Sequence, residues 1–392
     1  MALLESSLFL AGAEALNTPG LIFFLERIEQ NLAAVLRMVH GQADRLRPHV
    51  KTHKTREISR LWMALGVKKH KAATLVEAEM LAQEGAEDVL VSYPLVGPAP
   101  GALAVLAGAY PGTRFSALVD GWETLKGLQE AANTQRCQLG VMVDLDVGQH
   151  RTGVGQIPLR HELIQALAEA GPLVPVGIHA YDGHLFMEDL ADRRRLALGV
   201  LAEAVAAREL ARKAGWVGKI PLVVSGSPAF SLHCESLDNV PDLELSPGTV
   251  VLFDMGYSRY EDLSAQFTPA AAILTRVISR PQPDVVTFDC GTKSIASDPP
   301  MAKRALVEGL EEAEVIGHNE EHLVLRTPLA NHWPVGRMAL AWPWHICPTV
   351  AWHDQAWLFN QGQSAGVWRI AARGRQKVAR SDEQEAGWSA GQ

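Results

Sequence analysis

Cysteine is scarce. Cys137, Cys234, Cys290 and Cys347 are the only four, widely spread and with no C-x-x-C pair. That excludes a disulfide scaffold and a paired-cysteine redox or zinc motif, and suits free thiols in a reducing compartment. Long apolar runs are absent too: the alanine-rich stretch from Leu103 to Tyr110 is far too short for a bilayer. The run from Met1 to Phe9 has no basic n-region and carries Glu5, so it makes a poor signal peptide, and a cytoplasmic protein with no membrane partner is expected. Positive charge is not in excess, with 36 Lys and Arg against 44 Asp and Glu and a net charge of −8, which argues against a nucleic-acid partner. No G-x-G-x-x-G or Walker pattern marks a nucleotide site.

What is present is an alternation. From Thr18-Pro19-Gly20 a strand-like run, Leu21 to Leu25, leads into a helical pattern at Ile28, Leu32, Val35, Leu36 and Val39. Strand-then-helix pairs follow: 71–74 then 75–83, 88–93 then 102–109, 115–120 then 122–132, 139–146 then 159–170, and 174–181 then 190–214. Runs at 221–225 and 243–254 complete the series. The apolar runs are short and nearly continuous, as strands buried on both faces of a parallel sheet require. About eight such units in some two hundred residues fit a (β/α)8 TIM-type barrel, with a doubly wound sheet as the alternative.

After residue 256 the texture becomes β-rich and is broken by Pro and Gly, with strand patterns at 270–279, 285–289, 314–316, 322–327, 337–342, 357–360 and 367–371. At 392 residues two domains are the default. The division expected is a barrel over 18–255 and a mostly antiparallel β unit over 256–375, joined by residues 1–17; the tail after Arg373 is polar.

Chemistry concentrates where apolar strands stop. In Arg47-Pro48-His49-Val50-Lys51-Thr52-His53-Lys54, Pro48 biases Arg47 to an extended backbone, so Lys51 falls at a strand end before a helix. Crowding by Arg47, His49, His53 and Lys54, with desolvation, would favour a neutral Lys51 amine able to attack a carbonyl cofactor. A solvated basic loop or a phosphate patch is the rival reading. Asp144 to Gly155 is a glycine-rich strand terminus that presents Arg151, to a ligand or as a structural arginine. Gly177 to His184 sets His179, Tyr181, Asp182 and His184 at another terminus. Ser225-Gly226-Ser227-Pro228 and Ser246-Pro247-Gly248-Thr249 are small-residue turns where barrels bind phosphate. In Trp344-His345-Ile346-Cys347-Pro348, a strand would point His345 and Cys347 the same way, as an imidazole–thiolate pair for one borderline-soft divalent ion with open positions. A half-buried strand with an inert cysteine is the alternative.

Together these stretches resemble the D-threonine aldolase and D-serine dehydratase group of pyridoxal-phosphate enzymes, of alanine-racemase-like fold type III, over nearly the whole chain. The resemblance implies that Lys51 carries pyridoxal 5'-phosphate and that Arg151 contacts the cofactor's phenolic oxygen. It implies Tyr181 against the pyridine ring and His49 beside the cofactor, with Ser225, Gly226, Ser227, Gly248 and Thr249 around the phosphate. His345 and Cys347 resemble the metal motif, for zinc, manganese or magnesium. Aldolases of the group carry aspartate where Cys347 stands and dehydratases carry cysteine, while the segments from Pro348 to Val350 and Ile370 to Gly374 look more like the aldolases.

The expected activity is therefore lyase action on a small β-hydroxy-D-amino acid. Retro-aldol cleavage to glycine and an aldehyde is favoured over dehydration to a 2-oxo acid and ammonia. A non-catalytic cofactor carrier is the rival of another class, and a racemase has no use for a metal beside the substrate hydroxyl. His179, His184, Asp182 and a metal-bound hydroxide are base candidates, with His179 carried forward as catalytic; His322, in an Asn-Glu-Glu-His turn, is a further candidate with a structural role as the alternative. The resemblance also implies a homodimer.

Overall fold

The computed structural model describes residues 10–169 and 171–375; the run from Met1 to Phe9, Ala170 and the tail beyond 375 lie outside the described residues. The first elements are β1 (Gly20–Phe24), α1 (Leu25–Met38) and α2 (Arg56–Ala64). The alternation then runs β2 (Lys69–Ala72), α3 (Leu75–Gln83), β3 (Asp88–Pro94), α4 (Ala99–Ala109), β4 (Arg114–Val119) and α5 (Trp122–Gln135). It continues through β5 (Leu139–Asp144), α6 (Ile157–Leu167), β6 (Leu173–Ala180), α7 (Leu190–Lys213), β7 (Leu222–Val224), α8 (Phe230–Cys234) and β8 (Leu243–Leu245). Side-chain caps start two of these helices: Thr74 accepts from Glu77 N, and Asp189 from Asp192 N.

β2 to β8 pair in chain order, all parallel. The ring is closed by the irregular segment 46–50. Arg47 N donates to Leu245 O and Val50 N to Lys71 O, while Lys71 N donates to Pro48 O. The eighth staves of the barrel are thus the residues that lead into Lys51.

Side chains alternate across these strands, so each strand sends every second residue inward. Leu90, Leu118, Met142 and Val223 form an apolar cluster of their own inside the ring, while Val89, Val91, Ala117, Val119, Val141, Val143, Leu222 and Val224 face the helices. Below the apolar layer, Arg47 is ion-paired with Glu244 at 2.8 Å and with Asp88, and Lys69 reaches Glu244. Above it, the same inward parity places His49, Lys71, Ser92, Asp144 and His179 at the C-terminal mouth. That is where barrel enzymes keep their chemistry. Burial on both faces explains why the strands read as continuous apolar runs.

The second unit is built from α9 (Glu261–Ser264), β9 (Ala271–Gln282), β10 (Val285–Phe288), β11 (Ala305–Val307), β12 (Glu314–His318) and β13 (Leu323–Arg326). It ends with β14 (Met338–Pro343), α10 (Ile346–Trp352), β15 (Gln355–Asn360) and β16 (Gln363–Arg369). The nine-stranded sheet runs β12-β13-β10-β9-β1-β15-β16, with β14 also on β9 and β11 on β14. All its pairings are antiparallel except β1 with β15.

β1 forms where the pattern predicts a strand, but it pairs with β9 and β15 rather than with a barrel neighbour. Periodicity reports that a segment is extended and buried; it does not report which sheet takes it. Leu10 and Ala13 pack with Ile22, Phe24, Leu340, Trp342 and Phe359, so the described N-terminal residues lie on this sheet. The expected strand at 243–254 is confined to Leu243–Leu245, because Pro247 and Gly248 turn the chain at the barrel mouth.

No described helix is long and apolar enough to cross a membrane.

Candidate active site

Two adjoining cavities, each of about 470 Å³, open at the barrel mouth and share His49, Lys51, Gln149, Arg151 and Tyr181 as walls. One extends to the turns at Gly226, Ser227, Gly248 and Thr249 and on to Asp254, His345 and Cys347. The other extends over β2 to β6, past Lys71, Ser92, Asp144 and His179.

Lys51 Nζ lies 5.5 Å from the centre of the Tyr181 ring, and the Arg151 guanidinium lies 5.4 Å from it. The ring is seated on glycine. A Cβ at Gly183 would meet its atoms at 2.1 Å, and one at Gly226 would stand 3.1 Å from Gly183 and 3.2 Å from the ring. Lys51 N donates to His49 Nδ1 at 3.2 Å, and His49 Nε2 lies 3.3 Å from Ser92 Oγ. Burial, followed by the charges of Lys51 and Lys71, holds the His49 imidazole well below its ordinary pKa, so this histidine is neutral.

The expected crowd around Lys51 is only partly there. Arg47 is spent on Glu244 and Asp88 in the bottom layer, and Lys54 on Glu77. His53 turns back to Thr55 Oγ1 at 3.1 Å. Of the four, His49 alone shares the cavity with Lys51. On the β2 to β6 side, the cation that shares a cavity with Lys51 besides Arg151 is Lys71, which the sequence reading passed over. The signal was available in principle, since parity on β2 and its pairing with the inward Leu90 point Lys71 into the ring.

His179 is 3 % exposed and its Nδ1 lies 2.6 Å from Asp144 Oδ1; its Nε2 has no protein partner. Asp182 is committed elsewhere, to His233 Nε2 at 2.6 Å and to the Gly226 amide, which excludes it as a free base. His322 is exposed in a turn and lines neither cavity. Where phosphate turns were expected, Ser227 Oγ accepts from Thr249 N at 3.0 Å. Ser225 does not line the cavities; its hydroxyl donates to Gly226 O at 2.8 Å.

His345 and Cys347 are not on a strand. β14 ends at Pro343, His345 caps α10, and Cys347 lies in the first turn of that helix. Asp254 makes the turn: its Oδ2 accepts from Ile346 N at 3.0 Å and its Oδ1 from Tyr257 N at 3.0 Å. The two side chains still meet, by this turn rather than by strand parity. Burial opposes charge on His345, but the hydrogen bond and charge of Cys347, then Asp298, outweigh it and raise the imidazole to about 10. Burial likewise opposes a Cys347 thiolate, and His345, Lys51 and Thr52 override it and lower the thiol's pKa. Asp298 Oδ2 sits 2.6 Å from His345 Nδ1. Among the described residues no cluster of three or more His, Cys, Asp or Glu is arranged to hold a metal.

The residues fit a phosphorylated, anionic ring cofactor. Lys51, Lys71 and Arg151 make no ion pair with any described residue. Two buried polar atoms on the walls, His179 Nε2 and Ser246 Oγ, lack a protein partner. The fold and the site thus define a barrel enzyme with a cation-lined cavity at its mouth and a β-rich unit beside it.

Comparison with known proteins agrees. The model of the alanine racemase N-terminal domain matches residues 24–253, and that of a putative serine dehydratase domain matches 270–359. The chain belongs to the alanine racemase N-terminal domain family, whose enzymes use pyridoxal phosphate. It is 29% identical to a D-threonine aldolase of Arthrobacter sp over 366 residues, 91% of this chain and 93% of the relative. It is also 29% identical to a 3-hydroxy-D-aspartate aldolase of Paracoccus denitrificans (strain Pd 1222) over 372 residues, 92% and 93% of the two chains. To a D-threo-3-hydroxyaspartate dehydratase of Delftia sp. (strain HT23) it is 26% identical over 362 residues, 86% and 92% of the chains. The crystal structure of D-threonine aldolase from Filomicrobium marinum superposes with a TM-score of 0.83 at 27% identity, over 94% of this chain and 99% of that one.

Proposed function

We propose that the protein is a pyridoxal-phosphate and divalent-metal-dependent lyase that cleaves β-hydroxy-D-amino acids to glycine and an aldehyde. The observation that carries this reading is that Lys51 and the His345–Cys347 pair, from opposite ends of the chain, line one cavity together with the phosphate turns. Aldolase relatives of nearly full length support it.

The cofactor, when bound, supplies an electron sink for charge left at the substrate's Cα. Lys51 Nζ would be the group that holds the cofactor's carbonyl carbon, and when free of it would hold or return a proton at Nζ. Gly226, Ser227, Gly248 and Thr249 receive the phosphate, and Arg151 and Tyr181 orient the ring. A divalent ion held by His345 and Cys347 would supply Lewis acidity at the substrate's β-hydroxyl. Asp298 fixes the His345 ring through Nδ1, as second carboxylates do for metal-binding histidines. His179, neutral and backed by Asp144, offers Nε2 as a proton acceptor. Burial, then Lys71, depress its pKa and outweigh Asp144.

On this reading residues 18–255 carry the cofactor, with β1 lent to the second sheet, and 256–375 bring the metal pair. Two chains assemble as a homodimer in a reducing cytoplasm, where the free thiol of Cys347 survives. Light scattering at twice the chain's 42.6 kDa checks the assembly.

Dehydration is the second reading, favoured by the thiol at Cys347 and by the Delftia relative. Incubation with pyridoxal phosphate, a divalent metal and D-threonine separates the two. Glycine with acetaldehyde supports cleavage, and 2-oxobutanoate with ammonia supports dehydration instead.

A further inference from the structure

Lys71 is 2 % exposed, yet its amine has no carboxylate partner among the described residues. Its backbone is pinned on both sides, N donating to Pro48 O and O accepting from Val50 N, each at 2.9 Å. The ladder opposite Leu90 aims its side chain into the barrel, and its Nζ lies 5.2 Å from the centre of the Tyr181 ring. Lys51 and Arg151 approach the same ring, at 5.5 and 5.4 Å. Three cations therefore surround one aromatic ring at the wall of one cavity.

The nearby acids do not neutralise them. Asp144 is held by His179 Nδ1 and by Thr152 Oγ1 at 3.2 Å, and Asp182 by His233 and the Gly226 amide. A buried, unpaired ammonium beside two other cations is costly unless an anion joins them.

The proposed function gives the carbonyl to Lys51 and the phosphate to turns that line the adjoining cavity, which leaves Lys71 unused. We infer that Lys71 Nζ is an anion-holding group of this active site, gripping a negatively charged oxygen of the bound ligand on the side that faces Arg151. The oxygen belongs either to the cofactor's phenolate or to the substrate's carboxylate. Burial, then repulsion from Lys51, lowers the amine to about 7, against the pull of Asp144 and Asp182, as for an ammonium whose counter-charge comes with the ligand. The charged or titratable groups facing it are Lys51, Arg151, His49, Asp144, His179 and Asp182, with Arg47 below.

The inference rests on the cofactor reading, and the test separates their failures. Wild type, Lys71→Met, Lys71→Gln and Lys71→Arg are loaded with pyridoxal phosphate. Cofactor affinity, the pH midpoint of the visible band and the KM for D-threonine are then measured. Loss of a charge-assisted hydrogen bond is expected to weaken one binding step by about tenfold or more in both neutral variants, and Lys71→Arg restores most of it.

If the oxygen is the phenolate, cofactor affinity falls and the band midpoint rises by about one pH unit, because a cation that opposed protonation is gone. If the oxygen is the substrate's carboxylate, only KM rises. Either result supports the inference. Unchanged affinity, midpoint and KM in folded Lys71→Met and Lys71→Gln protein overturn it. A wild type that forms no visible band overturns the cofactor reading and the inference together.

Discussion

Thr52 Oγ1 lies 3.2 Å from Cys347 Sγ. The residue that follows the proposed cofactor lysine thus touches the sulfur of the proposed metal pair, and Thr249 of the phosphate turn is 3.5 Å from the same sulfur. Thr52 and Thr249 of the barrel are thus tied to Cys347 of the β-rich unit, and with them the proposed cofactor, phosphate and metal positions. Chemistry at either end therefore depends on the docking of that unit.

Removing the sulfur separates metal from cofactor. Cys347→Ala is expected to abolish metal-stimulated turnover while leaving the visible cofactor band intact, because Thr52 and Thr249 lose only a contact to sulfur while the Lys51 amine and the turn glycines stay in place. Absorbance and product assays on one preparation check both halves. Full activity in the variant would mean that the metal pair is misassigned.

The Asp298 carboxylate orients His345 through the 2.6 Å contact at Nδ1. Asp298→Ala is expected to weaken metal affinity about 10- to 100-fold, the usual effect of losing such a partner. Calorimetric metal titration of the cofactor-loaded protein reads this directly. Affinity within twofold of wild type would rule the orienting role out.

A methyl group at Gly183 has nowhere to go. Gly183→Ala places its Cβ 2.1 Å from Tyr181 ring atoms, so the ring or the turn must move. The expected cost is about 1–3 kcal/mol of stability, together with weaker cofactor binding. Urea unfolding and cofactor titration check the pair; stability and affinity equal to wild type would show that Tyr181 is not seated there.

Acid should destabilise the cofactor-free protein through its buried histidines. Burial, followed by His70 and Lys54, pushes His53 down to about 3, and burial, followed by Arg47, pushes His70 down to about 4. Between those values and the unfolded value of 6.5 the unfolded chain binds protons that the folded chain does not. Stability therefore rises with pH across that window.

Asp254, raised to about 6 chiefly by burial, opposes this over part of the range, because the folded form holds a proton that the unfolded form releases. His49 and His179, depressed by burial as well, act with His53 and His70 against this one carboxyl, so a net gain in stability is expected between pH 4 and 6.5. Urea midpoints across the window measure it; a flat or falling profile contradicts it.

Much of this was legible in the sequence, for identifiable reasons. Continuous apolar runs announce strands buried on both faces, and polar clusters at their C-terminal ends announce a catalytic mouth. Lys51, Arg151, Tyr181 and the Gly226 and Gly248 turns line the cavity as those patterns implied. Partner choice was not legible. β1 joins the far sheet because its hydrogen bonds go to β9 and β15, which periodicity does not encode. The pairing of His345 with Cys347 was anticipated on a strand and occurs at a helix start, because Asp254, distant in sequence, holds the turn. Arg47 and Lys54 were expected to crowd Lys51, but carboxylates from other strands and helices take them. Lys71 went unread because the basic run Lys68-Lys69-His70-Lys71 does not say which of its members turns inward; strand pairing decides that, and its neighbours in space are Lys51, Tyr181 and Asp144.

The central claim is that one particular amine holds the cofactor. Loading the protein with pyridoxal phosphate, reducing it with borohydride and mapping the peptides by mass spectrometry tests it most directly. The pyridoxyl mass is expected on Lys51 alone. A label on Lys71 or elsewhere, or no label at all, would contradict it.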